Sequence, residues 1–447
     1  PALSEEERRK AEAEKAAGRK ARKNNGARRD MHYELEEEEH VVYPDDPDFD
    51  INKARLFTTV PRICVRYECV PMRFIKHVYK IHTYTQDGRL FEGKTPASAF
   101  LNSSYDGSFI AGLMELRYIQ SLPVERIINY FEGYGFTLKK PTAHKLMEKA
   151  SSLFENLYKC IRQTALSDPY KAADETYYKI LVPEKNSKGK GFRKGYLWVV
   201  VGINTRMIYL LYDDGSRSEK VILNELGGCK GIIQSDGYSP YRKLESDAYP
   251  HITRIPCLQH IKRKFIDCGE DDPDAKRIVE LINALYQNEH KHKVEVEGWT
   301  VEQNLVHRKK YAPDILGEIK DVLDEIEERG DLLPKSELQE AITYLRNEWN
   351  AVVDIFNYGD TYLDNNIVER MNRYISLSRK NSLFFGSHKG AERGAILYTI
   401  ALTCRMHKVN LFEYLTDVIN RTAEWQPNTP LEKYRELLPD KWEKENS

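Results

Sequence analysis

Four stretches decide the fold: Tyr170-Lys-Ala-Ala-Asp-Glu-Thr-Tyr-Tyr-Lys-Ile-Leu-Val182, Tyr196-Leu-Trp-Val-Val-Val-Gly-Ile203, Met207-Ile-Tyr-Leu-Leu-Tyr212 and Gly231-Ile-Ile-Gln-Ser-Asp236. Ala172 to Val182 reads as a strand, Tyr196 to Ile203 as a strongly apolar one, and Met207 to Tyr212 as its hairpin partner across Asn204-Thr205-Arg206. Ser218 to Leu226 has helical spacing (Val221, Ile222, Leu226) and stops at Gly227-Gly228. Gly231 to Asp236 is a short buried strand, Tyr238 to Leu244 looks helical, and Ile252 to Cys257 is a further strand. The order is strand, strand, strand, helix, strand, helix, strand. It predicts three antiparallel strands extended by parallel ones through helical crossovers.

That order matches the ribonuclease H-like topology, and the elements around it complete a multidomain α+β or α/β chain. Residues 1–50 read as a charged, extended arm and 51–95 as a small β element. Within the latter, Cys64 to Cys69 alternates, Phe74 to Tyr84 is β-branched and aromatic, and Gln86-Asp87-Gly88 signals a turn. Residues 96–165 are expected to be a helical, helix-turn-helix-like module: Pro123 opens a helix that Gly133 and Gly135 end, and a second begins near Pro141. Its Lys139, Lys140 and Lys145 are candidate DNA contacts. The mixed-sheet core is expected over 166–262 and again over 361–410. Between them, 263–360 is an all-helical insertion, and 411–447 is a helical tail.

The chain has 447 residues, which at about 150 per domain suggests roughly three units. No apolar run approaches the roughly 18 residues of a membrane span, and no secretory leader is read at Pro1, so no membrane partner is expected. Seven scattered cysteines argue for a reducing compartment, and a cytoplasmic location is expected. The net charge of -1 hides segregation: residues 1–30 carry +4, residues 31–50 carry -9, and the remainder therefore +4. The first 50 residues cannot bury enough apolar area to offset their ordering entropy. A near-neutral total would hide a nucleic-acid binder here, so charge is judged segment by segment.

Within the predicted topology, Asp174 lies on the first strand and Asp236 ends the fourth, 62 residues later; in a ribonuclease H-like sheet those strands are neighbours. Glu369 follows 133 residues on, in a helix for which Asp364-Asn365-Asn366 offers a good amino-terminal cap. Three hard oxygen donors suit Mg2+ or Mn2+, and two such ions could activate an attacking oxygen and stabilise a leaving one at phosphorus. Glu175, adjacent to the first acid, points to the opposite face of a strand and is not chosen.

Residues 370–393 hold Arg370, Arg373, Arg379, Lys380, Lys389 and Arg393 against Glu392, a net +5 that favours phosphate. Arg379, Lys380 and Asn381 are the preferred DNA contacts, with Arg370, Arg373, Lys262, Arg263 and Lys264 beside them. Cys257-x-x-His260 supplies only two ligands, with no second pair at suitable spacing, so no structural zinc is expected there or at Cys64 and Cys69. A buried Cys ending a strand and a His starting a helix is one reading of that word.

The words Ala173-Asp174-Glu175-Thr176, Gln234-Ser235-Asp236-Gly237-Tyr238, Cys257-Leu258-Gln259-His260, Leu363-Asp364-Asn365-Asn366 with Val368-Glu369-Arg370, and Ser378-Arg379-Lys380-Asn381 occur in that order. Together they resemble the transposases of the insertion-sequence-66 family over about residues 95–440. The resemblance implies DDE transposition: metal-dependent cleavage at transposon ends, then attack of the freed 3'-hydroxyl on target DNA. Asp174, Asp236 and Glu369 match the family's acidic triad, with two Mg2+ or Mn2+ ions as cofactors. His260, by the same resemblance, would orient DNA near the scissile phosphate. Implied partners are terminal inverted repeats, target DNA, a second copy of the chain and accessory proteins of the element, in a bacterial cytoplasm at the nucleoid. A nuclease on the same core without strand transfer, or an inactive domesticated DNA-binding protein, are the alternatives.

Overall fold

The apolar run Leu197 to Val201 has no solvent exposure along its length, so it must be covered on both faces, and it lies inside a five-stranded mixed sheet. In a computed structural model the described residues are 72–78, 80, 83–86, 89–92, 99–100, 103–184, 191–269, 271–291, 297–423, 425–426 and 428–443, with 83–86, 89–92 and 290–291 described by backbone alone. The arm, Cys64 and Cys69 lie outside these residues. A two-stranded antiparallel pair, β1 (Thr83–Gln86) and β2 (Arg89–Glu92), flanks the Asp87-Gly88 signal. The strand expected from Phe74 does not form over 72–78, which are irregular. Phe74 instead packs its ring on Phe131 and Phe136, where aromatic contact outweighs strand propensity.

The large sheet contains β3 (Tyr170–Leu181), β4 (Phe192–Gly202), β5 (Ile208–Leu211), β6 (Gly231–Ser235) and β7 (Ile252–Pro256), in the spatial order β5-β4-β3-β6-β7. The first three pair antiparallel, while β6 lies parallel to both β3 and β7. Helices before the sheet are α1 (Gly107–Met114), α2 (Val124–Gly133), α3 (Lys140–Leu153) and α4 (Glu155–Ser167). α5 (Glu219–Leu226) and α6 (Ser239–Arg242) flank β6.

Between Cys257 and Asn365 the described residues contain helices and no strand: α7 (Leu258–Asp267), α8 (Pro273–Lys291), α9 (Val301–Arg329) and α10 (Glu337–Ile355). They share a second apolar core, built from Ile278, Leu285, Leu323, Ile342 and Ile355, that reaches Ile232 and Ile255 of the sheet. The chain returns in α11 (Asn366–Asn381) and α12 (His388–Met406), followed by α13 (Leu411–Thr422) and α14 (Leu431–Glu436). α12 covers the open edge at β5: Thr399 Oγ1 accepts from Leu210 N at 2.9 Å, and Thr403 Oγ1 donates to Ile208 O at 2.9 Å. Such capping satisfies edge groups that would otherwise recruit another strand. None of the described helices is long and apolar enough to cross a membrane.

Of the expected cap Asp364-Asn365-Asn366, Asp364 Oδ1 accepts at 3.2 Å from the N–H of Asn366, the first residue of α11, while Asn365 makes no side-chain cap. Its Nδ2 donates instead to Ala173 O at 3.0 Å, and its N–H to Cys257 Sγ at 3.2 Å. Docking the returning chain onto the sheet outweighs a cap bond, because Ala173 O and Cys257 Sγ would otherwise lack these donors in the interior.

Candidate active site

The last register pair of β3 and β6 is Ala172 with Gln234. Two residues further along each strand stand Asp174 and Asp236, so the carboxylates leave equivalent positions on strands about 4.8 Å apart. Burial first, then Glu175 and after it Asp236, push the Asp174 carboxyl up to about 8. Glu175 N donates to Asp174 Oδ1 at 2.8 Å and Asn372 Nδ2 donates to Asp174 Oδ2 at 2.5 Å, which fixes the carboxylate plane. Asp236 Oδ1 accepts from Tyr238 N at 3.1 Å in a tight turn.

Glu369 sits in the first turn of α11, whose Val368, Met371 and Ile375 are buried. Asn372 lies one turn on, at the i+3 position that shares a helix face. Its bond to Asp174 therefore brings the Glu369 side of α11 to β3. After the helix, Leu181 N donates to Phe385 O and Phe385 N to Lys179 O, both at 2.9 Å, pinning the outgoing chain on the same strand. Four buried polar atoms here have no hydrogen-bond partner: Glu369 Oε1, His260 Nδ1, Asn365 Oδ1 and Asn372 Oδ1. An unpartnered buried carboxylate oxygen is what a cation would satisfy, and carboxylates such as those of Asp174, Asp236 and Glu369 are the donor type that Mg2+ or Mn2+ takes. Among the described residues, however, the group of three that brings its ligand atoms within 4.8 Å of one another is Cys257, His260 and Glu369.

Glu369 also has neighbours of other chemistry. His260 Nδ1 lies 3.8 Å from Glu369 Oε1, and ligand atoms of Cys257, His260 and Glu369 all fall within 4.8 Å of one another. Burial pushes the Cys257 thiol up to about 12, opposed by hydrogen bonds from the Asn365 and His260 backbone. The two-ligand reading of Cys257-x-x-His260 thus undercounts the donors, since a third arrives 109 residues beyond His260 through the fold.

An open cleft of about 410 Å³ borders Asp236 and is lined by Arg217, Gly237, Tyr238, His260, Arg263, Lys264, Asp267 and Tyr344. Glu175 stands near both acids and raises the Asp174 carboxyl more than Asp236 does: Arg217 clasps it, and Tyr241 Oη donates to it at 3.4 Å. Burial raises its carboxyl while the Arg217 hydrogen bond opposes the rise. Arg217 also stacks over Tyr238, 4.2 Å from the ring centre. Sequence reasoning missed Arg217, Tyr344 and Asn372; only Asn372 carried a signal, its helical spacing from Glu369.

The predicted DNA contacts fall into two groups. Arg263, Lys264, Arg370, Arg373 and Lys380 are exposed, as are Lys139 and Lys145, while Lys140 pairs with Glu125 at 2.7 Å. Arg379, a preferred contact, instead donates to Tyr177 O and stacks 4.0 Å from the Tyr177 ring centre. Asn381 Nδ2 donates to Ser121 O at 3.1 Å, and Lys262 lies over the Tyr286 ring. Arg379 and Lys262 are half-buried in the protein's own packing, while Asn381 is exposed despite that bond.

Residues 102–393, well over half the chain, match the family described as "Transposase IS66 family". Two relatives from Sinorhizobium fredii are named uncharacterized proteins y4jD and y4qI. The first is 26% identical over 74% of this chain and 65% of its own length, so the chain spans just under two thirds of it. The second is 26% identical over 94% of this chain and 79% of its own length. Among solved structures, the Drosophila P element transposase strand transfer complex shares 14% identity over 67% of this chain and 93% of that chain, with a TM-score of 0.35, too distant a likeness to bear on this one.

Proposed function

The chain belongs to the IS66 family of transposases, and on that premise we propose that it cuts DNA at the ends of a mobile element and joins the freed 3'-hydroxyls to target DNA. The catalytic acids of this reading are Asp174, Asp236 and Glu369, carried on a ribonuclease H-like core. The observation that supports it most is the matched placement of Asp174 and Asp236 on adjacent parallel strands, with α11 tied to Asp174 through Asn372.

Magnesium or manganese held by these carboxylates would supply activation of the attacking oxygen and charge neutralisation at the leaving oxygen. The chain's own residues supply the positioning. Asn372 and the Glu175 N–H orient Asp174. Arg254 Nη1 donates to Asp236 O at 3.1 Å, and Gly237 N donates to Tyr344 Oη at 2.9 Å, so the Asp236 turn is clamped from below and from α10. A side chain at 237 would collide, because a Cβ there would stand 2.4 Å from that hydroxyl. Arg263 and Lys264 border the cleft as phosphate-binding cations, and His260 faces the same space. Joining two ends calls for two such sites, so the working form is a dimer on DNA.

The deciding experiment incubates the protein with element-end DNA and Mg2+. Nicked ends plus joined products are expected. Nicks alone would reduce the activity to a nuclease, and shifted bands without cleavage would reduce it to a binding protein. Asp236→Asn should abolish cleavage while leaving DNA affinity within about twofold. Equal loss of both would remove Asp236 from catalysis.

A further inference from the structure

We propose that Cys257, His260 and Glu369 form a second metal site, one that takes zinc or a similar borderline-soft divalent ion and shares Glu369 with the all-oxygen site. The binding stands on the donors alone. Only the sharing rests on the function proposed above.

Two chain segments far apart in sequence meet there. Cys257 ends β7 in extended conformation and caps α7, and His260 lies in that helix's first turn. Glu369 lies in the first turn of α11. The two helix starts are stitched together: Leu258 N donates to Leu363 O at 2.9 Å, and Asn365 N donates to Cys257 Sγ at 3.2 Å. An amide pointed at sulfur orients its lone pairs, as second-shell partners do around bound metals.

The donors are close enough to close on one ion. His260 Nδ1 and Glu369 Oε1 are 3.8 Å apart, against about 3.3 Å for the edge of a tetrahedron with bonds of about 2.0 Å. Both atoms are buried and lack a hydrogen-bond partner, so an ion between them would break no hydrogen bond. A sulfur, a nitrogen and an oxygen select zinc over magnesium, which gains little from thiolate or imidazole. Three protein ligands leave a fourth position for water. As the metal–sulfur bond forms, the Cys257 thiol proton passes to solvent.

Cobalt(II) serves as the spectroscopic probe, titrated into the full chain kept reduced and stripped of metal. The wild type should take up one equivalent, with a thiolate-to-cobalt charge-transfer band and tetrahedral d–d bands that zinc abolishes. Cys257→Ser should lose the charge-transfer band. His260→Gln and Glu369→Gln should each weaken binding at least about tenfold, while Asp174→Asn should leave the band unchanged. Circular dichroism in chelator checks that each variant folds, and if Cys257→Ser does not, the His260 and Glu369 variants carry the test. A wild type without the band, a band that survives Cys257→Ser, or binding indifferent to both His260→Gln and Glu369→Gln would overturn the site. Magnesium-supported nicking without a cobalt band would sink this site and spare the function. A cobalt band with these ligands and no nicking would do the reverse.

Discussion

Asp174 shows how one residue couples chemistry to stability. Its carboxyl is raised by burial and by Glu175 and Asp236, to about 8 against an ordinary value near 3.8. The folded state therefore holds this proton more tightly than the unfolded chain, and metal-free stability falls as pH rises from about 4 to about 8. Replacing the acid removes that loss. In chelator, Asp174→Asn should melt at a higher temperature than wild type at pH 9, and the difference should shrink towards zero near pH 4. A gain of equal size at both pH values would contradict the assigned cause. Arg379 illustrates the opposite case, a cation used internally: Arg379→Ala should cost about 1 kcal/mol in urea unfolding, from its Tyr177 stacking and carbonyl bond.

Among elements, α10 matters most to the site although it belongs to the helical insertion. Tyr344 meets the Gly237 N–H, and Glu348, four residues on, lies on the same face fully buried against Arg254. Arg254 also binds Glu245 and, through the Asp236 carbonyl, the Asp236 turn. Glu348→Ala would leave that guanidinium short of a partner in the interior, and a loss of about 3 kcal/mol is expected in denaturant titration. Tyr344→Phe removes only the hydroxyl that Gly237 N reaches. It should lower cleavage at saturating Mg2+ more than it lowers melting temperature; an unchanged rate would release Tyr344 from positioning the turn.

At the scale of the molecule, charge is distributed so that a near-neutral total carries a local cationic rim. Arg263 and Lys264 border the Asp236 cleft and are exposed. Converting both to Ala should weaken DNA binding similarly across sequences and lower the magnitude of its salt slope by about 1 per residue. An unaltered slope would place the phosphate path elsewhere. The two apolar cores give the insertion its own interior while Ile232 and Ile255 tie it to the sheet, so α10 can hold the Asp236 turn from outside the sheet.

The sequence by itself determined the strand and helix order from Tyr170 to Pro256, because side-chain alternation and apolar runs are local signals that name an element wherever it lies. It also singled out Asp174 and Asp236, through the ribonuclease H-like topology that the strand order matches, in which β3 and β6 are neighbours, and through the family resemblance of the words around them. Tertiary structure alone decided which groups surround Glu369. Cys257 and His260 reach it only because α7 and α11 begin side by side, a consequence of how the insertion closes on itself. It likewise turned Asn365 from a cap into a tether and Arg379 from a surface cation into a packed one. Those outcomes compare a local bond with a long-range one, and the comparison is settled by which buried donor or acceptor would otherwise go unpaired.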